Sequence, residues 1–474
     1  MSADALIGLV MLLVLLGAIF IGVPISFTLL FLALVFGYLG MGATVFDLAY
    51  LQTLGLMKEE LLAAVPLFIL MGFITQQAGL MERLFTAFRL LLAPVRGSLY
   101  LVVILTSTVF AMATGIVGAA VTVLGIMASP IMTKARYDPK LSSGAITAGG
   151  TLGILIPPSV MLIVMGPVLG VSVADLYAAA FGPGFVLAGL YVAYVLARSF
   201  INPKLGPPVP DDERVHSLAV MMREVVAGTV PLAGLIAATL GSILAGLATP
   251  TEAAGIGALG ALLLAVAYGK FSFRVLQQAL HSTMATSSMV LLLAVTSNIF
   301  GAVFARLGTA NWITDALLSL QLPPSLMLVF VLALIFLLGW PFEWPAIVLV
   351  FLPIFYPVVA ALKVDLVWFG AVVAVVLQTA FLSPPVAMSA YYLKQVAKDW
   401  SLATIYAGMF QFMMLQLLCV GLLIAFPRLA TWFPQQLHAA ARAEKIPEEH
   451  QKILERQRAA PALEDEDWGA GQKK

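Results

Sequence analysis

Charged side chains and cysteine are both scarce in this chain of 474 residues. Only 10% of the residues are Asp, Glu, Lys or Arg, whereas soluble domains carry about 25%. The 25 basic residues nearly balance the 24 acidic ones, so no excess of positive charge favours nucleic acid as a partner. The single cysteine, Cys419, excludes an internal disulfide. A water-soluble globular protein and a disulfide-stabilised one are therefore both excluded.

Residues for catalysis or metal binding are scarce too. The four histidines never occur at metal-ligand spacing, which argues against a transition-metal site. No G-x-x-x-x-G-K-[ST] motif occurs, so the chain does not carry an ATP motor of that kind. An intramembrane enzyme would need a Ser/His pair or two aspartates at membrane depth, and the apolar runs offer only His281 near a helix end. The sequence therefore predicts a protein that is not an enzyme and has no cofactor.

Apolar residues are abundant, at 61% of the chain, and the mean hydropathy is +1.03. A membrane span needs roughly 20 apolar residues, and the runs between basic residues predict about ten spans. Two of them precede Lys58 and are joined by a turn at Gly22-Val23-Pro24. Two more share residues 224–269, with a break at Ala248-Thr249-Pro250. The remaining spans are predicted within 59–82, 141–197 (two spans), 275–305, 364–393 and 399–427. This pattern is typical of an all-α integral protein of the lipid bilayer.

Two further apolar stretches predict re-entrant helical hairpins. Residues 97–133 number 37, and one straight helix of that length would run to about 55 Å, well beyond a hydrocarbon core of about 30 Å. Gly115 and Gly118 weaken the centre, so two half-helices that return to the same side explain both length and break. One long tilted helix is the alternative. Residues 324–362 repeat the pattern, because Pro341 and Pro345 cannot both lie in an undisturbed helix.

The basic residues predict the orientation of the chain. If both hairpins return to their own side, fourteen loop Lys and Arg residues lie on one face and only Lys58, Arg306 and Lys363 on the other. The first face is then cytoplasmic, and the first hairpin opens from the cytoplasm and the second from outside. Both termini lie outside. The polar, charged tail at 434–474 fits this orientation poorly, because its basic residues would prefer the cytoplasm.

Each hairpin is followed at matched spacing by a helix that a Pro-Pro pair interrupts. Gly115 and Pro157 are 42 residues apart, and Pro341 and Pro384 are 43 apart. The interrupted helices are predicted at 141–170 and 366–393. Because one copy enters from inside and the other from outside, the pattern predicts an inverted-topology repeat. Its first copy occupies 1–223 and its second copy 224–433.

Paired broken helices are the best sequence indication of a transporter's binding site near the midplane of the membrane. Half-helix N-termini suit a carboxylate, and hydroxyl and freed carbonyl oxygens suit a hard cation such as sodium. Helix packing and simple kinks are the alternative for each Gly or Pro taken alone. The predicted cation sites comprise Thr114, Gly115, Ile116, Gly149, Gly150, Thr151 and Gly153 at the first hairpin, and Gly339, Trp340, Pro341, Thr379 and Ser383 at the second.

Two acidic residues lie in or near membrane depth. Glu343 at the second hairpin tip is a functional candidate, since ionisable groups there are expensive. It would repel an anionic substrate, so cation coordination and a hydrogen bond to the broken backbone are its two open roles. Glu252 follows Thr249-Pro250-Thr251, which predicts a carboxylate that caps a helix.

Four segments together carry a resemblance to a known family. They are Pro66–Gly72 (PLFILMG), Ala148–Ser159 (AGGTLGILIPPS), Ala248–Ala254 (ATPTEAA) and Ser383–Val386 (SPPV). With these segments, from about Leu6 to Pro427, the chain resembles the large permease of the tripartite ATP-independent periplasmic (TRAP) transporters, in the ion-transporter superfamily. The resemblance implies sodium-driven import of small organic acids across a bacterial inner membrane by an elevator motion. It also implies two partners, a periplasmic binding protein that delivers the substrate and a small four-helix membrane subunit.

The two hairpin tips depart from the family pattern. Many members carry Ser-Gly-Ser-Ser where this chain has Thr114-Gly115-Ile116-Val117, and a Leu-Asp pair where it has Phe342-Glu343. Both departures resemble the branch associated with oxo and hydroxy acids, and they leave more of the cation shell to backbone carbonyls. A self-sufficient ion-coupled carrier of organic anions from the same superfamily is the alternative function. A channel is disfavoured, because Pro-Pro breaks below closed hairpins favour alternating access.

Overall fold

The computed structural model describes residues 2–115, 117–208, 217–384 and 387–439. Within these ranges the chain is helical and contains no β-strand. By length and composition, nine helical segments of the described residues could cross a membrane, one arm of each hairpin included (Val117–Lys134 and Trp344–Ala361), or ten if the bent pair Pro139–Leu155 and Val160–Leu169 forms one span. The predicted class, an all-α membrane protein with about ten spans, is confirmed. The predicted tail lies outside the described residues from position 440 onward.

The helices of the first half follow one another through short connections. They are α1 (Ala3–Ile21), α2 (Ile25–Met41), α3 (Thr44–Met57), α4 (Ala64–Gln77), α5 (Leu80–Leu92), α6 (Ser98–Thr114), α7 (Val117–Lys134), α8 (Pro139–Leu155), α9 (Val160–Leu169) and α10 (Val173–Ile201). The predicted turn between α1 and α2 is confirmed, and Gly22 adopts a left-handed conformation there (φ 95°). The sequence did not predict α3, nor did it predict α5, which contains the basic residue Arg83 that marks the predicted end of a span.

The helices of the second half repeat much of this order. They are α11 (Leu218–Ile236), α12 (Ser242–Leu244), α13 (Pro250–Ala267), α14 (Phe273–Arg306), α15 (Thr309–Leu318), α16 (Pro324–Leu338), α17 (Trp344–Ala346), α18 (Leu352–Ala361), α19 (Leu366–Gln378), α20 (Met388–Val396) and α21 (Leu402–Ala425). Single π-helical segments, Ala237–Gly241 and Ile347–Phe351, join α11 to α12 and α17 to α18. Residues 428–439 are also helical.

The break before α13 could be predicted from the local sequence, because a helix cap forms there. Thr249 is the N-cap, and its hydroxyl accepts a hydrogen bond from the Glu252 N–H at 3.3 Å. The Glu252 carboxylate in turn accepts from the Thr249 N–H at 2.8 Å. This reciprocal pair satisfies two N–H groups that the first turn of a helix leaves free. The predicted capping role of Glu252 is confirmed.

Corresponding turns recur in the two halves. Arg136 and Lys363 both adopt left-handed conformations, with φ of 56° and 54°. Two residues later, Asp138 and Asp365 cap α8 and α19 by accepting hydrogen bonds from N–H groups of the first turn. Left-handed glycines likewise precede the amphipathic helices α5 and α15. The repeat therefore extends beyond the hairpins and Pro-Pro pairs from which it was predicted, while its orientation in the bilayer stays a prediction.

Single cysteines at Arg136 and Lys363 test the inverted orientation. We expect Arg136→Cys to react with a membrane-impermeant maleimide only from the cytoplasm and Lys363→Cys only from outside. The native Cys419 is fully buried, so its background labelling should be low. Labelling in permeabilised membranes is the control that both engineered thiols are reactive. Reaction of both from one side would contradict the inverted repeat.

Candidate functional site

The two broken helices lie at the centre of the fold. Every residue of α8 from Leu141 to Leu155 is buried, and so is every residue of α19 from Trp368 to Gln378. The arms of the first hairpin, α6 and α7, both pack against α8, and α7 also contacts α20 of the second half. The hairpins and the broken helices thus form one packed unit in which the two halves of the chain are interleaved.

The first hairpin turns at Gly115, beside the break between α8 and α9. Gly115 has a left-handed conformation (φ 61°) that ends α6. A Cβ built on it would lie 3.5 Å from the carbonyl oxygen of Pro158 and 3.8 Å from that of Gly153. The Gly153 carbonyl lacks a regular helical partner, because Pro157, four residues on, has no N–H. The structure therefore brings Gly115 and Gly153 together around backbone oxygens that a cation could use.

Gly149 and Gly150 pack α8 against the two hairpin arms. A Cβ on Gly149 would lie 2.6 Å from the hydroxyl of Ser107 in α6, and one on Gly150 would lie 2.3 Å from a methyl group of Val121 in α7. No side chain fits at either position without a shift of the arms. The structure shows a packing role for these two glycines, which was the alternative to cation binding, and cation binding through their carbonyls stays a prediction.

Thr151 belongs to the same segment but faces the second half of the chain. Its side chain is fully buried, and its hydroxyl lies 2.8 Å from the Ala148 carbonyl and 3.1 Å from the side-chain oxygen of Gln378. The structure therefore does not place the Thr151 hydroxyl with the first hairpin tip. Among the other predicted residues, Thr114 ends α6, and Ile116 lies outside the described residues.

The second hairpin tip lies beside the short 3₁₀ turn that follows α19. Gly339, Trp340 and Pro341 occupy the turn between α16 and α17. A Cβ built on Gly339 would lie 3.1 Å from the Cβ of Ala380 in the 3₁₀ turn. Ala380 is the repeat counterpart of Gly153, so the two tips meet equivalent points of the two broken helices.

The hydroxyl groups of the second break differ in their surroundings. Thr379 is fully buried and donates a hydrogen bond to the Val376 carbonyl at 2.6 Å, which leaves its oxygen lone pairs available. The Ser383 hydroxyl is buried and has no hydrogen-bond partner among the described residues. Trp340, by contrast, is 42% exposed and packs edge-on against Phe336, so its side chain lies at the surface of the hairpin.

A cavity of about 660 Å³ opens between the hairpin tips and the breaks. The first residues of four helices line it, namely Val117 of α7, Val160 of α9, Trp344 of α17 and Met388 of α20. Helix N-termini carry free N–H groups and partial positive charge. Four helix starts around one cavity therefore suit a carboxylate, and binding of an anion there stays a prediction.

The side chains of the cavity wall include an acidic residue and no basic one. Among the described residues that line it there is no Lys, Arg or His. The Glu343 carboxylate lines the cavity, and no hydrogen bond or ion pair engages it within the described part of the chain. An anion in this cavity would depend on helix termini, and the unpaired Glu343 is available to a cation or to a hydrogen-bond donor.

A further part of the cavity wall, formed by α4 and α14, was not predicted from the sequence. It is largely apolar and contributes Ile69, Phe73, Gln76, Thr286 and Met289. Ile69 belongs to the segment PLFILMG that carried the family resemblance, and this was the one signal that could have placed α4 at the site. Tyr392 and Gln395 of α20 also line the cavity, and no pattern in the sequence singled them out.

Comparison with known proteins gives a consistent family assignment for most of the chain. The family model described as "Tripartite ATP-independent periplasmic transporter, DctM component" matches residues 9–429. The sialic acid TRAP transporter large permease SiaM of Vibrio cholerae is 29% identical, over 89% of this chain and 96% of its own length. The C4-dicarboxylate TRAP transporter large permease DctM of Rhodobacter capsulatus is 28% identical, over 84% and 91%. The 2,3-diketo-L-gulonate large permease YiaN of Escherichia coli is 28% identical, over 81% and 89%.

The fold also has a counterpart among solved structures. The YdaH transporter of Alcanivorax borkumensis, described as having an unusual topology, superimposes with a TM-score of 0.59. The match covers 89% of this chain and 98% of that protein, at 16% identity. At this level of identity the similarity concerns the fold alone.

Proposed function

Because the chain belongs to the DctM family of tripartite ATP-independent periplasmic transporters, we propose that it is the large permease of a sodium-driven importer of small organic acid anions. The observation that carries this proposal is the cavity at which four helix N-termini meet beside the two hairpin tips. The relatives are named for the transport of sialic acid, C4-dicarboxylates and 2,3-diketo-L-gulonate, which are all organic acids. The departures at the two tips favour oxo and hydroxy acids as substrates.

The substrate carboxylate would be held by helix N-termini rather than by an ion pair. The first residues of α7, α9, α17 and α20 line the cavity, and no basic side chain is among its described lining residues. Such a site binds an anion modestly and releases it readily, because it makes no direct ion pair. Weak, reversible binding suits a carrier that must unload its substrate into the cell.

The cation sites would lie where each tip meets its broken helix. The first would use the carbonyls of Gly153 and Pro158 beside Gly115, and the second the hydroxyls of Thr379 and Ser383 beside Gly339. We assign Glu343 to the second site, since no hydrogen bond from the described backbone engages its carboxylate. Sodium is a hard cation that prefers such oxygen ligands, as other hard cations do. Cation binding would draw each tip onto its break and close the cavity.

The hairpins and broken helices would move together against α4 and α14, which form another part of the cavity wall. We further propose that a periplasmic binding protein delivers the substrate and that a small four-helix membrane subunit stabilises the permease in the inner membrane. The outward faces of α1, α2 and α3 offer exposed apolar side chains, such as Phe27, Phe31 and Tyr50, for that subunit.

Uptake of labelled organic acids into proteoliposomes tests this function. The permease is reconstituted with its small subunit and the cognate binding protein, and a panel of oxo, hydroxy and dicarboxylic acids is offered under a sodium gradient, a proton gradient or none. We expect accumulation of at least one acid only under the sodium gradient. Equal accumulation under a proton gradient, or none of any acid, would contradict the proposal.

The unpartnered hydroxyl of Ser383 gives a direct test of the second cation site. We expect Ser383→Ala to raise the sodium concentration for half-maximal uptake about tenfold, which corresponds to roughly 1.4 kcal/mol of lost binding energy. A buried hydroxyl without a protein partner contributes nothing to stability, so the variant should fold at least as well as the parent. Thr379→Val should act in the same direction.

Ser297→Ala is the matched control for Ser383→Ala. Ser297 is equally buried, and its hydroxyl also lacks a hydrogen-bond partner among the described residues, but it lies in α14, outside both broken helices, and is not among the described residues that line the cavity. Its removal should leave the sodium dependence unchanged. Equal sodium dependence in all three variants and the parent would show that the hydroxyls of the second break are not cation ligands.

A further inference from the structure

A cluster of polar side chains lies fully buried where the two broken helices approach each other. Thr151 of α8 and Gln378 of α19 are joined at 3.1 Å, and the side-chain nitrogen of Gln416 in α21 lies 3.4 Å from the Thr151 hydroxyl and 3.5 Å from the Gln378 oxygen. All three residues have no exposed surface. None of them belongs to the described lining of the cavity, so the cluster is separate from the substrate site.

Stability alone does not explain this cluster. The Gln378 nitrogen has no hydrogen-bond partner in the part of the chain that the structure describes, whereas the buried Tyr191 hydroxyl approaches Gln416 and Thr151. Buried polar groups without partners are unfavourable in a protein interior and more so at membrane depth. Apolar side chains of similar size would fill the same space without unpaired groups. Polar residues retained inside a membrane protein are candidates for function.

Thr151 and Gln378 are also counterparts in the repeat. They are 227 residues apart, the same separation as that between Pro157 and Pro384 at the two breaks and between the left-handed residues Arg136 and Lys363. A direct contact between counterparts places this hydrogen bond on the approximate twofold axis that relates the two halves.

Each member of the pair lies next to one of the proposed cation sites. Thr151 precedes Gly153 by two residues in the last turn of α8, and Gln378 directly precedes Thr379 at the end of α19. A small movement of either helix end, as a cation binds at its break, changes the geometry of the same hydrogen bond. Gln416 contacts both partners and therefore responds to either movement.

We propose that Thr151, Gln378 and Gln416 form a joint that couples the two cation sites, so that occupation of one break favours occupation of the other. This inference rests on the proposed sodium-coupled function. Gln378 and Gln416 act as positioning residues: they contact neither substrate nor cation, and they transmit the position of one broken helix to the other. Coupling between sites of this kind is reciprocal and appears as cooperative binding.

Equilibrium binding of ²²Na⁺ to the purified full-length permease in detergent tests the joint without knowledge of the substrate. For the parent protein we expect a Hill coefficient clearly above 1. Gln378→Met and Gln416→Met keep the length of the side chain but remove its hydrogen-bonding groups, and each should lower the Hill coefficient to about 1. The sodium concentration at half-saturation should change by a few-fold in the same variants.

Thr147→Val is the matched control. Thr147 is fully buried one turn earlier on α8, and its hydroxyl bonds only to carbonyls of its own helix, at 2.7 Å to Ser143. This variant should keep the cooperativity of the parent. The double variant Thr151→Val/Gln378→Met removes both partners of the central bond, so it should recover any thermal stability that Gln378→Met loses while its binding stays non-cooperative.

The possible outcomes distinguish a failure of the joint from a failure of the proposed function. A parent protein that binds no sodium would overturn the sodium-coupled function itself. A parent that binds sodium with a Hill coefficient of 1, or glutamine variants that remain as cooperative as Thr147→Val, would overturn the joint and leave sodium coupling intact.

Discussion

Without a periplasmic binding protein, the reconstituted permease should accumulate very little organic acid, even under a full sodium gradient. The cavity has no basic side chain among its described residues and would capture a dilute anion poorly. The longest polar segment inside the chain, Asn202 to Arg223, is too short to form a capture domain of its own. A docked binding protein raises the local substrate concentration, so we expect its omission to reduce uptake on the order of a hundredfold.

The measurement is uptake into proteoliposomes at a fixed sodium gradient, with and without the loaded binding protein on the side that corresponds to the periplasm. A binding protein for an unrelated solute is the control for nonspecific effects of added protein. Robust accumulation by the membrane subunits alone would assign the chain to the alternative function, a self-sufficient organic anion carrier.

Replacement of Gly115 by valine should abolish transport, with uptake falling about a hundredfold or more. Gly115 has a left-handed backbone (φ 61°), in which a β-branched residue is strained by roughly 1–2 kcal/mol. More importantly, the new side chain would extend from a Cβ that lies 3.5 Å from the Pro158 carbonyl oxygen. The valine methyl groups would then occupy the space between the tip and the backbone oxygens of the proposed cation site.

The variant Gly308→Val is the control that separates the effect of backbone strain from the effect of blocking the proposed cation site. Gly308 is also left-handed (φ 75°), but a Cβ there would meet no atom within 4 Å. The Gly308→Val variant should lose a similar amount of thermal stability and retain most of the transport activity. Both variants are compared by sodium-driven uptake per reconstituted protein and by thermal unfolding in detergent. Equal uptake by the two variants would contradict the placement of the first cation site at the Gly115 tip.

The spans, hairpin tips and breaks could be predicted because each depends on a local property of the sequence. The length of an apolar run identifies a span. Glycine or proline interrupts the helix at Gly22, Gly115, Pro341 and Thr249-Pro250 whatever tertiary structure surrounds it. The short helices α3, α5 and α15 could not be found in this way. Each of these helices is only a few turns long and carries charged residues, which are equally typical of loops between spans.

The parts of the site that depend on packing could not be predicted. The sequence does not distinguish Gly115, which makes a turn, from Gly149 and Gly150, which admit the side chains of neighbouring helices. It placed Thr151 with the first tip because the two are close to the same break, whereas the helix turns its side chain towards Gln378, 227 residues away. The wall formed by α4 and α14 likewise comes from tertiary contacts.

The contact between Thr151 and Gln378 also bears on how the two halves can diverge. In a symmetric dimer of half-length chains, a position on the twofold axis faces its own copy, so the interface is isologous and both sides must carry the same residue. Joining the halves in one polypeptide removes that restriction. The position can then hold a hydroxyl in one half and an amide in the other, as it does here. The two proposed cation sites could in consequence be tuned separately, to different affinities, while the backbone that supports them stays alike.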